Sequence, residues 1–334
     1  MGIILEDKEQ SMKAFVSAQM TQEGLDQLAR YADIKYGGWG HTGKKLTPKE
    51  LVKEAADCEL MVICYEEIND YVLDHLPNLK LIACSRGGVE NVDKEAVRRH
   101  KVWVTSSPGR NANAVAELTI ALMLCALRHI PRTHHYIMSK NWEKVPWDIA
   151  GNTSYKTFNG YELYGKTVGL IGYGAIGRRV AKILSGFDVN LIVYDPFLQE
   201  CPSEVKKVEW EELFSLSDIV SLHCKLTEDT KGMVNAEAFE RMKSSAVFVN
   251  TARGGLIDED ALYQALANHK IACAALDAQR EEPMPHDSKL LSLDNIILTP
   301  HIGGASRDII AQQTKILMED ITAYFETGKP IHVI

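Results

Sequence analysis

The stretch Thr167–Leu184, TVGLIGYGAIGRRVAKIL, decides how this chain is read. An apolar run leads into Gly172, Gly174 and Gly177 in the spacing G-x-G-x-x-G, and a helical period follows. Placed between a strand and a helix, the pattern is informative. Gly172 permits a tight turn, Gly174 lets a pyrophosphate approach the backbone, and Gly177 lets helix and strand pack closely. The free N–H groups of the helix N-terminus then face the phosphates. The next apolar run, LIVYDP, ends on Asp195, 18 residues after Gly177. An acid about 20 residues on bonds a ribose 2′-hydroxyl and repels a 2′-phosphate, so NAD is expected rather than NADP. A turn aspartate before Pro196 is the bland alternative, and strand, glycines and acid together outweigh it. Arg178 and Arg179 are expected on the solvated face of the helix.

Outward from this stretch the same rhythm repeats. KTVGLIG, NLIVYD, DIVSLH, AVFVN, IACAALD and NIILTP read as six buried parallel strands of a doubly wound sheet. Earlier, KAFVSA, LMVICY, LKLIACS and KVWVTSS read as strands of a second sheet. The helices TQEGLDQLARY, TPKELVKEAAD and NVDKEAVRRH lie between them, with Thr and Asn as N-caps. The expected fold class is α/β, with two doubly wound parallel-sheet domains and a cleft between them. Residues 112 to 130 form a long helix pattern that links the two series. Another long helix, SRDIIAQQTKILMEDITAYFETG, closes at Gly328 and Pro330 and could return to the first domain. The domains expected are 12–111 with 303–334, and 112–302, with 1–11 as an arm. Residues 143 to 164 hold one Trp and three Tyr without a clear period. Packing on a partner subunit and a local surface excursion are both open for them.

The 334 residues exceed one ordinary core and suit two domains. A net charge of -8 argues against nucleic acid or an anionic membrane as partner. The longest apolar-leaning run, Leu118–Leu127, is too short to span a bilayer. The early acidic residues do not suit a signal peptide. Seven cysteines with no CxxC fit a reduced cytoplasmic setting, and no metal site is expected.

Three segments at strand ends carry candidate chemistry. In VFVNTARGGLIDEDAL, Arg253 follows an apolar strand where open α/β sheets bind ligands, and a guanidinium there suits a carboxylate. Alone, it reads as a surface turn before a helix capped at Asp258. In NIILTPHIGG, His301 follows a strand and precedes two glycines. A lone histidine there is usually structural, but beside a carboxylate it becomes an acid/base candidate. In ALDAQREEPMPH, Glu281 and Glu282 stand together before Pro283.

Taken together, GLIGYGAIGRR, YDP, NTARGGLIDEDAL, AALD, EEP and TPHIGG resemble the NAD-dependent D-isomer-specific 2-hydroxyacid dehydrogenases, a family that includes phosphoglycerate dehydrogenases. The resemblance runs from about Met12 to the C-terminus. It implies a Rossmann NAD-binding domain in the centre and a flavodoxin-like substrate domain from the first sheet and last helix. It implies that Arg253 holds the substrate carboxylate, that His301 exchanges a proton with the carbonyl oxygen, and that Glu282, the acid next to the proline, orients His301. Around the cofactor it implies roles for Ala175, Ile176, Cys224, Thr251, Ala252, Asp277, Gly303 and Val115, beside the three glycines and Asp195. Gly87, Gly88 and Val89 would bind the substrate carboxylate through backbone N–H groups, with Arg86 beside them. A homodimer joined through the nucleotide domain is implied.

The chain also departs from the family. DAQREEP stands where DVFEEEP is common, so Ala278, Gln279 and Arg280 are left without an explanation. Lys225 replaces a usual proline, which would free the adenine-side loop. The loop CYEEIND, assigned to the second strand, carries Glu66 and Glu67 and makes a poor phosphate seat. GGWGHTG, Gly37–Gly43, reads as a flexible loop that could cover a substrate. The expected substrate is a small 2-keto or D-2-hydroxy acid, with a sugar acid or a phosphorylated acid such as 3-phosphoglycerate both open. The alternatives are an NAD(H)-sensing regulatory protein on the same fold and, disfavoured by Glu282, a formate dehydrogenase.

Overall fold

The computed structural model describes residues 12–142 and 156–334. The expected arm at 1–11, and 143–155 of the aromatic segment, lie outside the described residues. Contacts divide the chain into two units. One runs to Asn111 and resumes over Ser306–Ile334, and the other is Ala112–Ala305.

The first unit holds five parallel strands: β1 (Met12–Val16), β2 (Ala32–Tyr36), β3 (Leu60–Ile63), β4 (Leu81–Cys84) and β5 (Trp103–Thr105). Their order is β2-β1-β3-β4-β5. Every residue of β3 and β4 is buried, because helices cover both faces. Leu51, Val72, Leu73 and Val97 pack on one face, and Leu28, Leu317, Met318 and Ile321 on the other. The last three belong to the helix Ile309–Thr327, which ends at Gly328 with φ +76°.

Four expectations need correction here. β2 was not among the strands anticipated, since it is an edge strand with only Ala32 buried and lacks an apolar run. CYEEIND therefore follows the third strand. Trp39–Thr42, in the segment read as a flexible loop, is a one-turn helix tied down by Gly40 N to Ser17 O at 2.7 Å and Trp39 N to Glu66 Oε1 at 3.1 Å. Thr21 and Thr47 cap their helices, but the third helix is capped by Asp93. Its carboxylate accepts from Glu95 N and Ala96 N, while Asn91 donates to Glu66 O at 2.7 Å.

The second unit holds β6 (Thr167–Ile171), β7 (Asn190–Tyr194), β8 (Val205–Lys207), β9 (Ile219–Leu222), β10 (Val247–Asn250), β11 (Cys273–Leu276) and β12 (Ile296–Leu298). All are parallel, in the order β12-β11-β10-β9-β6-β7-β8. The sheet has seven strands where six were expected. The extra strand, β8, buries only Val205 and turns two lysines outward at the edge. The helix Ala112–Leu127 packs with Ala175–Leu184 on one face, through Ile120, Met123, Val180 and Leu184. Phe214, Phe239 and Leu262 carry three shorter helices on the other. Strand order reverses at β6, which lies between β7 and β9, and ligands bind beyond the carboxyl ends of the strands at such a point. Among the described residues no single helix is long and apolar enough to cross a membrane. All seven cysteines are free, and burial pushes the thiols of Cys84 and Cys273 up to about 11 and about 12.

Candidate active site

The loop after β6 has the geometry that a pyrophosphate needs. Gly172 has φ +95°, and a side chain on it would reach within 2.8 Å of Cys224 N. A side chain at Gly177 would collide with the Gly172 carbonyl, so helix and loop touch at backbone distance. Gly174 has nothing within reach and is exposed with Ala175 at the start of a ten-residue helix, with Ile176 half-buried behind them. This open, glycine-lined helix start fits a dinucleotide phosphate.

Asp195 follows β7. Its Oδ2 accepts from Tyr173 N at 2.7 Å and its Oδ1 from Phe197 N at 2.9 Å. The carboxylate is thus held at the rim of a 720 Å³ recess shared with Tyr173, Arg178 and the exposed Phe197. Arg178 lies over the Tyr173 ring, 4.9 Å from its centroid, and so borders the recess as well as solvent. Behind the loop, burial raises the Cys224 thiol to about 11, so it is no nucleophile at neutral pH. The loop after Lys225 is pinned, contrary to expectation. Thr230 Oγ1 donates to Lys225 O at 2.8 Å and accepts from Thr227 N at 2.8 Å. His223 Nε2 meets Ser221 Oγ at 3.0 Å, its Nδ1 is enclosed without a partner among the described residues, and burial holds its pKa down to about 3.

Arg253, Glu282 and His301 stand on the loops after three adjacent strands, β10, β11 and β12. Asn250 closes β10. Buried, its side chain accepts from Ala252 N at 2.9 Å and donates to Arg253 O at 2.9 Å, which fixes the turn and leaves Arg253 exposed. The guanidinium gives one N–H to Ala252 O at 2.7 Å. Next to it Thr251 shares a buried hydrogen bond of 2.8 Å with Thr119. Glu282 Oε2 meets His301 Nδ1 at 2.7 Å, with both side chains about two-fifths exposed, at 38% and 43%. Glu282 Oε1 accepts from Gln279 N at 3.1 Å.

His301 adopts φ +53°, a left-handed backbone that costs on the order of 1–3 kcal/mol in a non-glycine residue. Asp277 holds it there. That buried carboxylate accepts from Thr299 Oγ1 at 2.6 Å, Ile302 N at 2.8 Å and Gly303 N at 2.7 Å. A side chain at Gly303 would sit 2.9 Å from Asp277 and 3.4 Å from Val115, so these three residues are brought together.

Arg86, Gly87, Gly88 and Val89 follow β4 in the first unit. Arg86 lies 5.1 Å above the Tyr65 ring and 3.4 Å from Glu90. Its carbonyl accepts from Ser107 N at 2.8 Å. Glu66 does not face outward. It is fully buried and accepts from Ser17 Oγ at 2.6 Å and from the N–H groups of Trp39, Cys64 and Tyr65. Only Glu67 leaves its charge in solvent. The sequence reading missed Asn250 and the inward turn of Glu66. A polar residue closing an all-apolar strand was the available signal for Asn250.

Residues 120–303 match the family described as D-isomer specific 2-hydroxyacid dehydrogenase, NAD binding domain. A hydroxypyruvate reductase of Thermotoga maritima is 39% identical over 80% of this chain and 85% of its own length. A D-3-phosphoglycerate dehydrogenase of Archaeoglobus fulgidus is 35% identical over 93% of this chain, which spans 56% of that protein. A solved D-2-hydroxyisocaproate dehydrogenase, 23% identical, has the same fold, with a TM-score of 0.82 over 96% of this chain and 99% of its own. With a glycine loop and helix start that fit a dinucleotide, the chain belongs to the D-isomer specific 2-hydroxyacid dehydrogenase family and is an NAD-dependent oxidoreductase of that type.

Proposed function

We propose that the protein interconverts a small, unphosphorylated 2-keto acid and its D-2-hydroxy acid. The observation that carries the reading is the 2.7 Å contact of Glu282 with His301 Nδ1, on loops adjoining that of Arg253. Bound NADH supplies the hydride for the carbonyl carbon. Arg253 grips the substrate carboxylate with the N–H groups it does not give to its own loop. With Nδ1 engaged by Glu282, His301 Nε2 is the nitrogen that hands a proton to the carbonyl oxygen, and it takes the proton back in the other direction. Glu282 keeps the ring oriented as that proton is carried. Asp277 holds the histidine loop and borders the carboxamide side of the nicotinamide, with Val115 and Thr251. Asp195 selects the ribose without a 2′-phosphate.

Two observations support an unphosphorylated substrate. The charge of Arg86 is already met by Glu90 at 3.4 Å, and a relative matched over 85% of its own length is named for hydroxypyruvate. The exposed Ile130, Ile137 and Met138 of one short helix support a second copy of the chain as partner, which sedimentation would test. A panel of 2-keto acids with and without phosphate, followed by NADH absorbance, tests the substrate. Turnover confined to phosphorylated acids would reject that class, and NADH binding without turnover of any acid would favour a sensor.

A further inference from the structure

We infer that Gln279, standing where the family commonly has phenylalanine, is a positioning residue that locks the Glu282–His301 pair into register. The inference rests on the reading above, in which that pair moves the proton. Three strand-end loops meet at Gln279. Its side-chain Nε2 donates to Thr299 O at 3.0 Å and lies 3.4 Å from Leu276 O, so it staples the end of β11 to the segment leading from β12 into His301. Its backbone N–H donates to Glu282 Oε1 at 3.1 Å, which leaves Oε2 for the histidine. A side chain on Gly254 would collide with the Gln279 carbonyl and with Arg280 N, so the loop that carries Arg253 docks on the Gln279 backbone.

A phenylalanine cannot make the two side-chain bonds. It would leave Thr299 O, two residues before His301, without that donor. Thr299 O also accepts from His301 N at 3.0 Å, so the staple acts on the same short turn that sets the left-handed histidine. The amide therefore fixes the distance between the two loops whose side chains must meet at hydrogen-bond length. Small errors in such a shell cost rate without unfolding the protein. The ionisable groups around His301 are Glu282 on its ring, Asp277 beneath its loop, and Arg253 and Arg280 on the neighbouring loops.

The test uses Gln279→Met, which keeps length and removes both donors, and Gln279→Asn, which keeps the donors but is too short to reach. Glu282→Gln is the reference. NADH binding, kcat, KM for the keto acid and the pH profile of kcat are measured for each. Both Gln279 variants are expected to bind NADH normally and to lose roughly tenfold in kcat, with the alkaline limb of the profile displaced toward that of Glu282→Gln. A shifted Glu282→Gln profile with unshifted Gln279 variants overturns the inference alone. An unshifted Glu282→Gln profile overturns the reading of the pair and the inference with it. Loss of NADH binding in both Gln279 variants also overturns it, since a residue that positions only the pair leaves the glycine loop intact.

Discussion

The loops after β3 and β11 each carry two adjacent glutamates, and the two pairs have opposite fates. After β3, Glu66 turns inward, is fully buried, and spends its carboxylate on Ser17 and three backbone N–H groups. After β11, Glu282 stays partly exposed and gives one oxygen to backbone and the other to a histidine. Two histidines after strands differ in the same way. His223 follows β9 and is half-buried with its Nδ1 enclosed, whereas His301 follows β12 and reaches solvent. Residue type at a strand end therefore does not separate structure from chemistry. What separates them is the number of bonding positions that the backbone has already taken.

The largest expected effect falls on the exposed side of this comparison. His301→Asn keeps a polar side chain but removes the proton donor, and general acid–base catalysis is worth roughly 10²–10⁴-fold. Steady-state reduction of a keto acid that the wild type accepts should drop by that factor, with NADH affinity unchanged. A loss of less than tenfold would place the acid elsewhere. On the enclosed side, Glu66→Ala strands three backbone N–H groups and a hydroxyl, at about 1–3 kcal/mol for the first buried donor left unpaired and less for each that finds water. Urea unfolding should show a clear loss of stability with an unchanged pH profile of turnover.

Glu282→Gln comes next. It keeps the shape of the pair and removes the charge, so the alkaline limb of keto-acid reduction should move to lower pH. A profile that stays in place would mean that Glu282 is a spacer, as Glu66 is a clamp.

His223 sharpens the histidine half. Its folded pKa is depressed by burial, so between about 3 and 6.5 the unfolded chain binds a proton that the folded chain refuses. The stability tied to its neutral form is whole above pH 6.5 and is lost as pH falls. At pH 5 the loss is set by the unfolded value and comes to about 2 kcal/mol. Comparing denaturant midpoints at pH 7 and pH 5, His223→Gln should lose less than the wild type does. Equal losses would show that the ring is hydrated.

Much of this was legible in the chain, for physical reasons. The glycine loop could be read because only glycine tolerates φ +95° at Gly172 against Cys224 N, and the buried strands because both of their faces are covered. β2 and β8 could not, since edge strands bury one residue each and carry no periodic signal. Asp93 displaced Asn91 as a cap because Asn91 was needed at the Glu66 carbonyl, a contact 25 residues away in sequence. Gln279 could be flagged only as a departure, because its partners are carbonyls of two strand ends that no local pattern brings together.

The smallest expected effect bears hardest on the comparison. Glu281 adjoins Glu282, is exposed, and makes no hydrogen bond or ion pair among the described residues. If proximity in sequence to the histidine's partner mattered, Glu281→Gln would move the pH profile by through-space repulsion, which water screens strongly between exposed groups. If bonding positions decide, the variant should superimpose on the wild type in kcat, in KM and in both limbs, at low salt as at high. A displacement at low salt that vanishes at high salt would show that the second carboxylate acts by its field, and the pair would then work as a unit rather than as one chemical group and one solvated neighbour.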